Sequence, residues 1–185
     1  AAALGTQTLA PTPPRRTDAL RRFSAPTMPV AKRHDWLSTL EDADVAKLSA
    51  RCSKIIEGTD ACAQYNKDWM NKWEGQARIV AQPASTEEVS AVLKYCDDRK
   101  LAVTTQGGKT GLVGGSVPVH DEVILSTTRL NTIEGRDGDT GVVTCQAGVV
   151  LETLDAYLRE CGFVAPLDLG AAGTCTIGGN LATNA

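Results

Sequence analysis

A short apolar run, an amphipathic stretch and a second apolar run follow one another between residues 79 and 105. Ile79-Val80-Ala81 predicts a strand, and Ser85 or Thr86 then caps a helix whose buried stripe repeats every three to four residues. The run from Leu101 to Thr105 predicts the next strand. A strand–helix–strand unit of this length is typical of parallel strand pairing. The chain therefore belongs among folds that combine helices with a partly parallel sheet.

The residues before this unit divide into two parts. Residues 1–33 are rich in Arg, Ala, Ser, Thr and Pro and nearly free of acids, as in mitochondrial and plastid transit peptides. A disordered, Pro-rich leader without an address has a similar composition and stays open as an alternative. Residues 34–77 predict an N-terminal helical segment. It has a capping box at Ser38–Glu41 and a helix that continues to about Ile56, where Gly58 ends it.

Residues 78–185 hold the regular part of the chain and are predicted to form one domain. Beyond the unit described above, the sequence predicts two further strands, a polar turn between them, an amphipathic helix and a final glycine- and alanine-rich coil. In chain order, with the turn second, these are residues 123–127, 134–139, 141–146, 149–161 and 166–185.

Charge and residue types exclude several kinds of protein. The net charge is −3 although the first 33 residues are strongly basic, so the remainder is acidic and gives no support to nucleic-acid binding. No run of about 18 apolar residues suggests a membrane span. The six cysteines form no CxxC pair, and only His34 and His120 could add imidazole ligands, so reduced, buried thiols are expected rather than a metal site. His120 is predicted to be a solvated loop residue, and His34 is interpreted as part of the basic leader.

The sequence TQGGKTGLVGGS, residues 105–116, follows the second predicted strand directly. Gly108-Lys109-Thr110 is similar to the end of a Walker A motif, but that motif needs a glycine where Val103 stands. It also needs a helix next, and the chain continues with β-rich residues and Pro118. The GxGxxG dinucleotide motif fails on spacing as well. A phosphate-loop nucleotidase is therefore disfavoured, and magnesium-dependent ATP binding would revive it.

A glycine-rich loop can also bind an anion without a helix. Glycines can turn successive backbone N–H groups inward and let a ligand approach closely, because they carry no Cβ. Two clusters of this kind, at Gly107–Gly115 and Gly170–Gly179, follow strand-rich segments and contain almost no acids. They predict a site for a large anionic ligand such as a dinucleotide. Glycines that only form tight turns remain the alternative.

Four stretches resemble, in order, one family of flavoproteins: PASTEEVSAVLKYC, QGGKTGLVGGSVPVHDEVILSTTRLN, CQAGVVLETLDAYL and PLDLGAAGTCTIGGNLATNA. The family is the D-2-hydroxyglutarate dehydrogenases, relatives of D-lactate dehydrogenases in the vanillyl-alcohol-oxidase superfamily. The resemblance covers residues 65–185. It implies an α+β fold, the PCMH-type FAD-binding domain, of which this chain holds the first α/β subdomain and the start of the second. A disordered leader precedes that domain.

The resemblance also implies which residues bind FAD. The first group would surround the pyrophosphate and comprises Gln106, Gly107, Gly108, Lys109, Thr110, Gly111, Leu112, Gly115 and Ser116. The second group would line the flavin ring and the rest of the dinucleotide and comprises Pro166, Leu167, Asp168, Gly173, Thr174, Gly178, Gly179, Asn180, Ala182 and Thr183.

Three residues depart from the family pattern. The loop usually begins Pro-Gln-Gly-Gly-Asn, and here Thr105 replaces the proline and Lys109 the asparagine. Lys109 would place a cation beside the pyrophosphate. Some members of the superfamily link the flavin covalently to a histidine at that position, so the lysine implies non-covalent FAD. Thr176 stands where a histidine is common.

For the intact protein, the resemblance implies oxidation of a D-2-hydroxy acid, with D-2-hydroxyglutarate favoured over D-lactate and glycolate. Electrons would pass to an electron-transfer flavoprotein or a similar acceptor. The composition of residues 1–33 favours the mitochondrial matrix, with the plastid and the cytoplasm as alternatives. Catalytic residues and ligands for a divalent metal would lie beyond Ala185, so none is assigned here. The chain is expected to be a fragment, inactive alone. A non-catalytic FAD- or nucleotide-binding module stays open as an alternative.

Overall fold

The computed structural model describes residues 30 and 32–185. The predicted leader, residues 1–33, therefore lies outside the described residues except at its last few positions. The helices are α1 (Asp42–Ser49), α2 (Thr59–Cys62), α3 (Thr86–Arg99), α4 (Leu151–Glu160) and α5 (Ile177–Thr183). The strands are β1 (Ile55–Glu57), β2 (Ile79–Ala81), β3 (Val103–Gln106), β4 (Val123–Ser126), β5 (Ile133–Arg136) and β6 (Val143–Cys145).

The sheets confirm a fold that mixes helices with parallel and antiparallel strands. The larger sheet has the order β1-β2-β4-β3, in which β2, β4 and β3 are parallel and β1 is antiparallel. The strand–helix–strand unit thus brackets β4, which inserts between β2 and β3. Strands β5 and β6 form a separate antiparallel pair. Because three strands run the same way, their carboxyl ends meet at one edge of the sheet.

Both faces of the larger sheet are covered. On one face Ile79, Ala81 and Leu125 pack with buried side chains of α1 and α3. On the other, Val80 and Ile124 pack with Cys62, Ala77 and the partly buried Tyr65. This alternation along β2 and β4 follows from the two-residue period of a strand, and coverage of both faces explains why these strands are continuously apolar.

Helix α3 forms as predicted, and its ends show why. Ser85 has extended backbone angles and its hydroxyl accepts a hydrogen bond from the N–H of Glu88, as expected of an N-cap. Lys100 ends the helix in the left-handed region, with φ of 57°. The helix anchors the N-terminal part through Asp44 of α1, a buried carboxylate that accepts from Arg99 Nε at 2.8 Å and Tyr95 Oη at 2.7 Å.

The N-terminal helix differs from its prediction. It begins after Glu41, whose N–H donates to the Asp44 carboxylate, and not at Ser38. It ends at Ser49, and Ile55–Glu57 pairs with β2 as a strand, so the helix predicted to about Ile56 was wrong beyond Ser49. The helical spacing of Ile55 and Ile56 with the residues before them was a coincidence: these two side chains pack on opposite faces of the sheet.

The C-terminal half differs in two places. The segment predicted as a polar turn, residues 134–139, contains most of β5, which pairs with β6 around a bulge. The final coil contains α5, which begins after Thr176. Thr176 Oγ1 accepts from the N–H of Gly179 and caps this helix despite its two glycines.

Candidate functional site

The carboxyl edge of the parallel strands carries the predicted site. Strand β3 ends at Gln106, and residues 106–116, here called the glycine loop, leave the sheet at that point. The Gln106 side chain is buried and its Nε2 donates to the carbonyl of Ser116 at 2.6 Å and to that of Tyr65 at 2.7 Å. The first bond joins the two ends of the loop. Gln106 is therefore a structural clamp for the loop from inside the protein.

The backbone of the glycine loop is available to a ligand. Within the described residues, the N–H groups of residues 108–116 donate to no carbonyl and no side chain. Leu112 and Val113 at the tip are 56% and 80% exposed. The loop contains no acidic residue. A row of unpaired N–H groups free of negative charge is what an anion-binding loop requires, so the loop fits a cofactor that carries a pyrophosphate.

The second predicted group lies directly against the first. We call residues 166–183 the Gly-Ala segment. A Cβ on Gly107 would lie 2.3 Å from Thr176 Oγ1, and a Cβ on Gly108 would lie 1.9 Å from the carbonyl oxygen of Thr174. At Gly108 the obstacle is backbone, so no side chain fits there, whereas at Gly107 the Thr176 side chain would have to move. The structure thus brings the start of the glycine loop and the middle of the Gly-Ala segment into contact, although about 65 residues separate them in sequence.

The Gly-Ala segment is held by its own backbone bonds. Ile177 and Gly178 donate to the carbonyls of Val149 and Ala147, at 2.9 and 2.8 Å. A Cβ on Gly178 would lie 2.7 Å from that of Ala147. Asn180 is buried, and its Nδ2 donates to Cys175 Sγ at 3.7 Å. The connection between β6 and α4 therefore fixes the start of α5.

The remaining predicted residues are more open. A Cβ on Gly111 or Gly115 would meet no atom within 4 Å, and Thr110 and Ser116 are half-buried. In the Gly-Ala segment, Leu167 is 38% exposed. The other exposed members of that group are Pro166, Asp168, Gly173, Thr174, Ala182 and Thr183. Binding of FAD by these residues, and by the contacting ones, stays a prediction for each position.

Lys109 points away from the open side of the loop. Its Nζ donates to the backbone carbonyls of Gln64 and Lys67, the latter at 3.3 Å, and lies 5.8 Å from the centroid of the Tyr65 ring. Burial lowers the pKa of this ammonium, against the opposing charge of Asp68. Its backbone is left-handed, with φ of 54°. In this structure the ammonium therefore bonds to residues 64 and 67, and its predicted position beside the pyrophosphate stays a prediction.

Sequence reasoning missed residues 63–76, here called the backing segment. They contact the glycine loop and the residues just after it from behind. A Cβ on Gly114 in the loop would lie 2.7 Å from the Trp73 ring, and one on Gly75 would lie 1.8 Å from the carbonyl oxygen of Pro118, past the loop. The only signal in the sequence was the pair Trp69 and Trp73, which has no helical or strand period around it. Trp69 is 64% exposed, so just one of the two contributes to packing.

Two negative findings concern the described part of the chain alone. In residues 30 and 32–185, no helix is long and apolar enough to cross a membrane. In the same residues no three His, Cys, Asp or Glu side chains converge in a group that would hold a metal ion.

Known proteins are similar to this chain in sequence. The family model for the FAD binding domain matches residues 77–185. The chain is 52% identical over 132 residues to the mitochondrial D-2-hydroxyglutarate dehydrogenase of Danio rerio, covering 71% of this chain and 25% of that protein. It is 44% identical over 165 residues to the Arabidopsis thaliana protein of the same name, covering 88% and 30%. The chain thus spans about a third or less of these relatives.

The fold has solved counterparts. The structure of p-cresol methylhydroxylase with bound substrate superposes with a TM-score of 0.62 and 22% identity, over 76% of this chain and 28% of that one. The predicted PCMH-type fold and the resemblance to D-2-hydroxyglutarate dehydrogenases are confirmed, as is FAD as the cofactor. The open loop of unpaired N–H groups and the second glycine-rich segment against it both lie within the matched residues. This chain belongs to the FAD binding domain family.

Proposed function

We propose that the full-length protein oxidises D-2-hydroxyglutarate to 2-oxoglutarate and that the described chain supplies part of its FAD site. The observation that carries the proposal is the row of unpaired N–H groups from Gly108 to Ser116, set beside the Gly-Ala segment. The names of the Danio rerio and Arabidopsis thaliana relatives support the choice of substrate. D-lactate and glycolate are the competing substrates within the same chemistry.

The residues described here would bind and orient the cofactor. The glycine loop would hold the FAD pyrophosphate with its backbone N–H groups, and the Gly-Ala segment would close the site from the other side. When bound, FAD would accept the hydride from the substrate C2, while the hydroxyl proton leaves to a base. We assign no residue of this chain to that base. Because position 109 is a lysine turned toward the backing segment, we propose non-covalent attachment.

The electrons would leave to an electron-transfer flavoprotein or a similar acceptor, which restores oxidised FAD. We place this activity in the mitochondrion. The basic, acid-poor composition of residues 1–33 supports that location. So does the word mitochondrial in the names of the Danio rerio and Arabidopsis thaliana relatives.

The test uses the full-length protein, its flavin absorbance and the reduction of an artificial electron acceptor. We expect the purified protein to be yellow and to release its flavin on acid precipitation. Reduction should be fast with D-2-hydroxyglutarate and at least about tenfold slower with D-lactate or glycolate, because both lack the second carboxylate that the pocket would pair. It should also be at least about tenfold slower with the L-enantiomer, in which the hydrogen and hydroxyl on C2 are interchanged relative to the flavin. Apoprotein should also bind FAD more tightly than FMN, since FMN has no pyrophosphate for the loop.

Each result bears on a separate part of the proposal. Fast reduction by D-lactate or glycolate instead would keep the FAD site and replace the substrate. Flavin that stays in the acid precipitate would refute non-covalent attachment. Equal affinity for FAD and FMN would refute the role of the glycine loop in binding the pyrophosphate. Protein that binds no flavin at all would refute the whole proposal.

A further inference from the structure

The backing segment lies along the rear of the glycine loop. The N–H of Gln76 donates to the carbonyl oxygens of Pro118 and His120 at 3.1 and 3.0 Å, just past the end of the loop. Nearer its centre, Trp73 fills the space in front of Gly114. The segment therefore contacts the loop at Gly114 and the residues just after it at Pro118 and His120, in each case without using a side chain of the loop.

The backing segment is itself rigidly built. Asn66 is buried, and its side-chain amide forms two hydrogen bonds of 2.9 Å with the backbone of Ala77. Asp68 is buried, and its carboxylate accepts from the N–H groups of Lys72 at 2.8 Å and Trp73 at 2.9 Å. Bonds to a buried carboxylate are among the stronger ones in proteins. A side chain that bonds to this segment is therefore held in a fixed position relative to the buried core.

Two side chains of the glycine loop attach to it. Gln106 donates to the carbonyl of Tyr65, and Lys109 donates to the carbonyls of Gln64 and Lys67. Gln106 lies at the end of a strand, so the strand fixes it in any case. Lys109 lies three residues further along, where the loop backbone has no hydrogen bond of its own in the described residues. Its ammonium is the only polar side-chain anchor that we find between Gly107 and Ser116 in the described residues.

We infer that Lys109 is a positioning residue that ties the first half of the glycine loop to the backing segment, and not a ligand of the cofactor phosphate. While its side chain bonds to the backing segment, its own N–H and those of its neighbours have no partner in the described residues and would remain for a ligand. This inference rests on the proposed function, because it assigns the loop to the FAD pyrophosphate. In this arrangement the backbone N–H groups bind the pyrophosphate, and the lysine ammonium bonds only to carbonyls of the backing segment.

A phosphate ligand and a rear anchor behave differently in the absence of FAD. A ligand would leave the apoprotein unchanged when removed. An anchor would loosen the backing segment and the loop in the apoprotein itself, and would weaken FAD binding as a consequence. Hydrogen exchange of residues 63–76 in the apoprotein and the dissociation constant for FAD therefore separate the two roles.

The experiment uses full-length apoprotein and the variants Lys109→Met, which keeps the length but no donor, and Lys109→Arg, which keeps the donors. Lys100→Met is the matched control: Lys100 is also a left-handed lysine, φ 57°, but it pairs on the surface with Asp97. We expect Lys109→Met to speed exchange in residues 63–76 and to weaken FAD binding, each by about tenfold, the usual value of a hydrogen bond to a charged group. Lys109→Arg should restore most of both, and Lys100→Met should change neither.

Weaker FAD binding with unchanged exchange in the apoprotein would overturn the inference and make Lys109 a phosphate ligand. Faster exchange with unchanged FAD affinity would also overturn it, since the anchor would then not position the site. If Lys109→Met does not fold, Lys109→Asn takes its place, because asparagine tolerates the left-handed backbone. Wild-type protein that binds no FAD would instead refute the proposed function, whatever the exchange rates show.

Discussion

The glycine loop and the Gly-Ala segment have similar compositions but opposite uses of their backbones. In the described residues, the N–H groups of residues 108–116 have no partner inside the protein. In the Gly-Ala segment, by contrast, the consecutive residues from Thr174 to Asn180, apart from the cap Thr176, all donate internally. The first region leaves its donors for a ligand, and the second uses them to fix its own turn and the start of α5. Glycine content alone therefore does not identify a binding loop; the state of the N–H groups does.

The glycines of these regions also differ in whether a side chain would fit at their position. Gly107, Gly108 and Gly178 touch other parts of the chain so closely that a Cβ would collide, whereas Gly111 and Gly115 face open space. Gly107 and Gly108 shape the contact between the two regions, and Gly178 packs against Ala147 in the connection between β6 and α4. Gly111 and Gly115 keep the ligand side of the loop clear. Substitution of a glycine of the first kind should mainly lower the stability of the protein. Substitution of one of the second kind should mainly lower its affinity for FAD.

The largest effect is expected from Gly108→Ala, because the new methyl group would lie 1.9 Å from a backbone oxygen that cannot swing aside. Overpacking of this kind costs about 3 kcal/mol in the free energy of unfolding, and separation of the two regions should remove FAD as well. Urea unfolding and flavin content of the full-length protein measure both. Gly138→Ala is the control, since its Cβ would meet no atom within 4 Å and it lies in the turn between β5 and β6. A stable, yellow Gly108→Ala protein would refute the contact between the regions.

The stability of the two glycine-rich regions should not depend on acid pH, because neither contains a buried carboxylate. The contact between α1 and α3 should depend on it. Asp44 supplies a buried carboxylate at this contact, and its hydrogen bond from Arg99 lowers its pKa from 3.8 to about 2. Since the folded-state pKa is depressed, the stabilisation is complete above about pH 4 and is lost as pH falls toward 2. It should amount to about 2 kcal/mol.

Comparison of wild-type protein with Asp44→Asn isolates this contribution. The variant should be less stable at neutral pH, where Arg99 and Tyr95 have lost their charged acceptor, and the difference in the free energy of unfolding should shrink toward pH 2. Urea unfolding at a series of pH values measures it. A difference that stays constant with pH would show that Asp44 contributes through packing alone.

The contact at Gly107 should give a smaller and reversible effect, because its obstacle is a side chain. Thr176 Oγ1 would lie 2.3 Å from a Cβ at position 107, and Thr176→Ala removes that oxygen. Gly107→Ala and Thr176→Ala should each destabilise, the second by about 1 kcal/mol because it removes a helix cap. The double variant should lose about 1 kcal/mol less in the free energy of unfolding than the sum of the two single losses.

The control for this cycle is Gly107→Ala with Thr183→Ala. Thr183 lies in the same helix and its hydroxyl bonds within it, to the carbonyl of Gly179. Its removal should therefore add independently to the effect at Gly107. Additive energies in both cycles would contradict the close approach of Gly107 to Thr176.

The sequence predicts the regular core well, because periodicity reports burial there. The strand at Ile79–Ala81, the helix from Thr86 and the strand at Val123–Ser126 all appear as expected. Prediction fails where tertiary contacts override local pattern. Ile55 and Ile56 continue a helical period but pair with β2, and the glycines of α5 hide a helix that Thr176 caps and Val149 and Ala147 hold in place.

The candidate site divides in the same way. Its two glycine clusters are visible in the sequence because only unusual backbones need so many glycines. The direction of the Lys109 side chain is not visible, since it depends on carbonyls at Gln64 and Lys67, more than forty residues earlier. Resemblance to a family supplies a position for each residue, but not the direction in which a side chain points. For this reason the backing segment went unrecognised, and the sequence contained no sign that Lys109 contacts it.

The smallest effect on stability is expected from Gly111→Ala. The new Cβ would meet no atom within 4 Å and φ at this residue is not positive, so the free energy of unfolding should change by less than about 0.5 kcal/mol. The affinity for FAD should nevertheless fall by about tenfold, because the methyl group stands where the pyrophosphate must approach the backbone closely. Flavin titration of the apoprotein, with Gly138→Ala as the control, measures this. An unchanged affinity would mean that the cofactor does not approach the loop at Gly111, and would move the ligand-binding part of the loop to its other N–H groups.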